Sequence, residues 1–336
     1  MLNVNNYILP FLLFCLLSSA CKDEKKTELN AYYWQTNGPQ NPSDFHAKMV
    51  SYGFTAIYQK VCEYKQNDST TDIRWIKNND DSLLFAKRIV PVVRISSNDA
   101  SIFSEINNSA LIRFLLSKKT ATPIREIQFD YDFYDAPMRD KYFYFLKRFT
   151  KEAAIYGIQD VSITTRLENY FGTEALKNIP YQQTLMLYGF ANPDDKGGMR
   201  ISDSLLSESY LPKCEFPNDI SVALPIYGWG TVYRHGKYKA HLSGIDYQLL
   251  KSNAAILFSS ENTVDVIADC TINGEHLQER DVIFFENSDA KSAKQVLHQF
   301  ERHYSGNLKE VILFQLDPDF FKWNNLEDVK KILAPQ

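Results

Sequence analysis

Eight short runs rich in Val, Ile, Tyr and Phe alternate with helical patterns along this chain, and that alternation constrains the fold more than any other feature. The runs are AYYWQT (31–36), FTAIYQKV (54–61), IVPVVRIS (89–96), IREIQFDYD (124–132), DVSITTR (160–166), QTLMLYGF (183–190), ISVALPIYGW (220–229) and EVILFQLD (310–317). Each ends near polar or turn residues, as strands do. Between them, PSDFHAKMVSYG (42–53) carries Pro and Ser at its start and Gly53 at its end, which are helix start and stop signals. MRDKYFYFLKRFTKEAAIYG (138–157) places Tyr142, Phe145, Leu146 and Phe149 at helical spacing and stops at Gly157, and DAKSAKQVLHQFERHYSG (289–306) ends the same way. Strand, helix, strand, repeated over most of 336 residues, predicts an α/β chain folded as a (β/α)8 TIM-like barrel. An open doubly wound sheet is the alternative. No glycine-rich fingerprint follows the first run, which counts against a dinucleotide site.

The interval 230–289 is too long for one crossover. Its two alternating segments carry the turn signals His235-Gly236 and Asn273-Gly274 and read as hairpins, so a small β-rich insertion (about 230–289) is expected between strands 7 and 8. The remaining boundaries follow from composition. Residues 7–17, YILPFLLFCLL, are apolar but short for a membrane helix, and SSAC follows, ending at Cys21. This resembles a bacterial lipoprotein signal peptide (1–20), with lipidation at Cys21 and a lipidated tether over 21–30; an ordinary secretory peptide cut after Ala20 is the alternative. KDEKK after Cys21 resembles a surface-export signal of Bacteroidetes-type lipoproteins, or else is a solvated charged tether. The expected location is therefore the cell envelope, as a surface-exposed outer-membrane lipoprotein, with the barrel spanning 31–336. A net charge of −4 argues against a nucleic-acid partner. Cys62, Cys214 and Cys270 fit no zinc spacing and read as buried small hydrophobes; the six histidines show no paired spacing, so neither metal nor cofactor is implied.

Within the fourth run, QFDYDFY (128–134) sets Asp130 and Asp132 two positions apart. Residues i and i+2 of a strand share a face, so the two carboxylates point together with Gln128 below them, and Phe129, Tyr131 and Phe133 point to the helix layer. In a barrel that face looks into the lumen, near the C-terminal end of strand four, where barrel enzymes build their sites. Two adjoining carboxylates repel, so one is expected to titrate high and to suit a proton donor. The alternative is an ion pair with Arg94 or Arg166, both near the ends of their own strands.

These residues resemble known families. IQFDYDFY is similar to the fourth-strand Asp-x-Asp-x-Glu of family-18 glycoside hydrolases (chitinase-like barrels), LMLYGF to their sixth-strand Met-x-Tyr-Asp, and VALPIYGWG to their seventh-strand Leu-Pro-x-Tyr-Gly. Tyr134 stands at the position of their catalytic acid and Gly189 at that of the sixth-strand aspartate; Asp130, Asp132, Met186, Tyr188 and Tyr227 match. A closer resemblance, carried by YYWQ, VPVVRIS, IQFDYD, FLKRF with VSITTR, and VALPIYGWG, is to the uncharacterised bacterial domain of unknown function numbered 3142. It implies a glycosidase-related barrel with no established reaction.

The expected partner is an oligosaccharide or polysaccharide, either hydrolysed or only bound. Asp130 and Asp132 are the candidate catalytic residues. Trp34, Gln35, Arg94, Tyr134, Arg166, Tyr188, Tyr227, Trp229 and Asp317 are the candidate substrate-binding residues, the aromatics because their faces stack on the apolar faces of sugar rings. A missing acid could come from Glu168, Glu63 or Asp317, since glycoside hydrolysis needs two carboxyl groups. The alternative to a hydrolase is a catalytically silent barrel that binds a carbohydrate or another partner, as Tyr134 in place of the acid suggests.

Overall fold

The eight expected strands form and close on themselves. They are Glu28–Tyr33, Ala56–Asn67, Arg88–Ser96, Glu126–Tyr131, Asp160–Arg166, Gln182–Met186, Asp219–Pro225 and Asn307–Phe314. Each pairs in parallel with the next, and the first pairs with both the second (Ala31 opposite Ile57) and the eighth (Leu29 opposite Val311). That double pairing makes a closed barrel and excludes the open sheet. The computed structural model describes residues 27–34, 41–67, 70–75, 88–97, 99, 101–117, 122–133, 135–172, 175–189, 209–245, 247–260, 262–316 and 320–334.

Period-two alternation sorts the side chains as the sequence requires. On the fourth strand Phe129 packs edge-on against Phe145 and Phe149, with ring centroids 5.3 and 4.8 Å apart, and Tyr131 lies 5.1 Å from Tyr142. All three partners sit on the helix Ala136–Ile155, whose buried stripe is Tyr142, Phe145, Leu146, Phe149 and Ala153. Edge-to-face aromatic pairs of this kind add about 0.5–1.5 kcal/mol each beyond the area they bury. The helix starts where Asp135 accepts a hydrogen bond from the Met138 N–H at 2.8 Å. Asn41 and Asp289 cap the helices Pro42–Tyr52 and Ala290–His303 in the same way. The lumen carries the other face: Tyr32, Tyr58, Val90, Val92, Met186, Ala223 and Ile312 form a separate buried cluster.

Several boundaries differ from expectation, three of them with consequences for the barrel. Residues 28–30, assigned to the tether, belong to the first strand, because Leu29 and Asn30 are buried and Asn30 Oδ1 accepts the Ala56 N–H at 2.8 Å. The second strand runs on to Asn67 and folds back as an antiparallel partner, Thr70–Trp75. The sixth strand stops at Met186, four residues early. Among the cysteines, Cys62 is buried, whereas Cys214 and Cys270, expected to be buried too, are only half-buried, and all three are free thiols.

After the seventh strand the chain leaves the barrel through Gly228, where a Cβ would stand 2.0 Å from the Ile245 carbonyl oxygen. It then forms a five-stranded antiparallel sheet in the spatial order Lys237–Ser243, Gly228–Arg234, Val282–Asn287, Thr263–Val266, Ile256–Phe258, with a small hairpin of Cys270–Ile272 and Glu275–Leu277. This unit has its own apolar core around Val232, Leu242, Ile245, Leu250, Val264 and Ile283. His235 with Gly236 and Asn273 with Gly274 all have positive φ, the geometry a two-residue hairpin loop demands.

Candidate functional site at the barrel mouth

Gln128, Asp130 and Asp132 rise in line toward the C-terminal end of the barrel. Gln128 accepts the Tyr32 hydroxyl at 2.5 Å and donates to Thr184 Oγ1 at 3.1 Å, reaching the first and sixth strands across the lumen. Asp130 accepts Arg94 Nη1 at 2.8 Å on Oδ2 and the Thr164 hydroxyl at 2.7 Å on Oδ1. Asp132, just past the strand, accepts Arg94 Nη2 at 2.9 Å and Arg166 Nε at 2.9 Å, one on each oxygen. Arg94 thus spans both aspartates with two nitrogens, and Asp132 joins two guanidiniums.

This arrangement decides the electrostatics. Burial alone would raise the Asp132 carboxyl, but the guanidiniums of Arg166 and Arg94, by charge and by hydrogen bond, outweigh it and hold the group well below the ordinary carboxylate range. If one member of the pair titrates high, as expected, it is not Asp132. The two expected alternatives for the pair, a mouth position and an ion pair with Arg94 or Arg166, occur together. Charge repulsion between the carboxylates is met by two cations.

Around this charged pair stands an aromatic rim. Phe314, at the end of the eighth strand, is its hub, with ring centroids 5.5 Å from Trp34, 5.3 Å from Tyr188 and 5.3 Å from Tyr227. Tyr227 leads on to Trp229 at 5.7 Å, and Trp229 stacks on His241 of the insertion at 5.0 Å with the rings 8° apart. Arg166 lies with Cζ 5.5 Å from the centre of the Tyr188 ring, and Lys60 Nζ sits 5.0 Å from that of Trp34. Both are cation–π distances. Burial lowers the Lys60 ammonium, partly offset by Glu63, whose carboxylate is 3.7 Å away.

Of the expected site residues, Trp34, Arg94, Asp130, Asp132, Arg166, Tyr188, Tyr227 and Trp229 are thus connected through this network. Gln35, Tyr134, Asp317 and Cys21 lie outside the described residues. Glu168 is exposed on the short helical turn Leu167–Tyr170. Glu63 is tied to Lys60 and accepts the Ser96 hydroxyl at 2.9 Å. Phe314, Lys60 and Thr164 were not singled out from sequence. Alternation could have found them: Phe314 follows Ile312 on the inward face, Lys60 follows Ala56 and Tyr58, and Thr164 follows Ser162.

No family model matches this chain, and no curated protein matches it. Among solved structures it is similar to the Bacillus cereus spore cortex-lytic enzyme SleL, at 15% identity and a TM-score of 0.56 over 92% of this chain and 74% of that one. It is also similar to a chitinase from Bacteroides thetaiotaomicron, at 14% identity and a TM-score of 0.52 over 92% of this chain and 97% of that one. The likeness is one of fold, and the fold is the TIM barrel that glycoside hydrolases use.

Proposed function

We propose that the chain is a glycan-binding barrel of glycoside-hydrolase type, whose mouth holds a saccharide between the aromatic rim and the Asp130–Arg94–Asp132–Arg166 network. The observation that carries this reading is the double arginine grip on Asp132. A carboxylate held by two guanidiniums is an anchor for donors and not a source of protons. Asp130 spends both oxygens as acceptors, Glu63 is engaged, and Glu168 faces solvent. Trp34 and Phe314, the partly exposed members of the rim, supply ring surface on which a sugar can stack, with Tyr188 and Tyr227 packed behind Phe314. Support for a carbohydrate comes also from the two fold neighbours, a cortex-lytic enzyme and a chitinase. The motif resemblance to family-18 glycoside hydrolases points the same way.

The test is to titrate the protein with chitooligosaccharides and peptidoglycan fragments by calorimetry while assaying for new reducing ends. Binding without cleavage is expected, and Trp34→Ala should weaken it about tenfold or more, as loss of an aromatic anchor does. New reducing ends that vanish in Asp132→Asn would make the barrel a hydrolase. A protein that neither binds nor cleaves would sink the carbohydrate reading. The leader YILPFLLFCLL and SSAC support a further proposal, that Cys21 carries a lipid and tethers the barrel at the outer membrane. Cys21→Ser should then move the protein from the membrane fraction to the soluble one.

A further inference from the structure

Arg166 is held but not used up. A guanidinium carries five N–H donors. Among the described residues, only the Nε of Arg166 has a hydrogen-bond acceptor, on Asp132. Arg94, by contrast, commits both of its Nη nitrogens to the aspartates. Arg166 Cζ lies 5.5 Å from the centre of the Tyr188 ring, which accepts no N–H there, and about a third of its side chain is open to solvent. Gly189, with φ +74°, follows Tyr188 and offers no side chain; a Cβ there would stand 3.8 Å from Arg166 Nη1. Among the described residues, Arg166 Nη1 is the one atom within 4 Å of that position, so no described side chain stands between Gly189 and the Nη edge. Asp132 fixes the guanidinium from behind, so little rotamer entropy remains to be lost when an acceptor arrives.

Resting on the glycan reading above, we propose that the mouth selects saccharides bearing an anionic substituent, a carboxylate or a sulfate, which the Nη edge of Arg166 grips in the two-pronged fashion planar guanidiniums favour. The sugar ring that carries the group lies on the rim beside Tyr188 and Phe314. A neutral saccharide offers those Nη donors no charged acceptor.

Calorimetric titration of the whole protein with trigalacturonate, a sulfated chondroitin oligosaccharide and neutral chitotriose tests this. One or both acidic probes should bind about tenfold or more tighter than chitotriose, and the advantage should shrink as salt rises. Which acidic probe wins tells carboxylate from sulfate. Gly189→Asp would set a carboxylate against Arg166 Nη1 and should abolish the advantage, whereas Gly189→Asn, of the same shape, should retain it. Asp and Asn both tolerate positive φ better than most residues, so backbone strain is matched between them. Equal binding of acidic and neutral probes, or identical behaviour of the two variants, would overturn the proposal while leaving the glycan reading intact. No binding of any probe would overturn both. The wild-type comparison alone decides the matter if the variants do not fold.

Discussion

The two ends of the barrel solve one problem in opposite ways. Each places carboxylates inside a closed ring and neutralises them with arginine. At the mouth, two guanidiniums answer two aspartates, and Asp132 is pushed below its ordinary range. At the floor, a single guanidinium, Arg88, faces Glu28 at 3.7 Å, Glu126 at 3.5 Å and Glu310 at closer range, with the Tyr58 hydroxyl also donating to Glu310 at 2.5 Å. There Glu126 goes the other way. Burial raises its carboxyl, and the Ser162 hydroxyl and Arg88 recover only part of the shift. The lesson is that matched charge, more than depth, decides which way a buried carboxyl shifts. The end that is matched is also the end carrying the aromatic rim and an open face on Arg166.

The largest expected effect comes from unmatching the mouth. Asp132→Asn removes the group that holds Arg94 and Arg166 together and leaves two guanidiniums without their shared anion. Breaking a buried pair costs about 3–5 kcal/mol, and the partial exposure of both arginines brings the expectation here to about 2–3 kcal/mol. The pH dependence follows from the sign of the shift. The native Asp132 binds fewer protons than the unfolded one, whose pKa is about 3.9, so its contribution is full above that pH and lost as pH falls through the lower folded value. Denaturant titrations between neutral pH and the acid limit should show the wild type losing this stability and Asp132→Asn having none of it to lose. A variant as stable as wild type at pH 7 would mean the network contributes nothing.

How far this site could be read in advance depended on which rule governed each residue. Alternation alone placed Gln128, Asp130 and Asp132 on one face and Phe129 and Tyr131 on the other, because a strand buried on both sides leaves no freedom. Gly53 and Gly157 marked helix ends correctly, both at positive φ. Glu63 defeated the same rule. A register shift between Lys60 and Cys62 adds one residue to the second strand, so Cys62 and Tyr64 turn to the outer core while Glu63 joins Lys60 at the mouth. No pattern in FTAIYQKVCEY announces that bulge. The titration of Asp132 was half legible: an ion pair with Arg94 or Arg166 was one of two readings, but not that both arginines meet one carboxylate. Arg94 and Arg166 lie 38 and 34 positions away along the chain, and only the parallel register of strands three, four and five brings them to one carboxylate.

A smaller effect is expected at the floor. Arg88→Gln strips three carboxylates of the one cation that pairs with them among the described residues, but its side chain is 40% exposed and water screens what remains, so the expected cost at neutral pH is about 1 kcal/mol. The cost should grow as pH rises from acid to neutral, because the carboxylates left behind repel only when ionised. Thermal melts across that range would register it. A loss that is constant with pH would show that Arg88 packs and does not neutralise.

The smallest effect is also the sharpest contrast between the two ends. The folded Glu126 holds its proton to a higher pH than the unfolded chain, where a glutamate titrates near about 4.3. Its favourable contribution is therefore fully present below that pH and is lost as pH climbs through the raised folded value, the reverse of Asp132. At neutral pH the ionised form sits in a site with too few cations. Glu126→Gln keeps an oxygen to accept the Ser162 hydroxyl, at 2.6 Å in the native chain, and removes the charge that the floor cannot match. Its stability at pH 7 should lie within about 0.5 kcal/mol of wild type or above it, the range of a substitution that loses no packing. Its decline as pH rises above the ordinary glutamate range should be shallower than that of wild type. A variant that declines as steeply, or that falls by as much as Asp132→Asn, would show that the floor is matched after all and that the two ends do not differ.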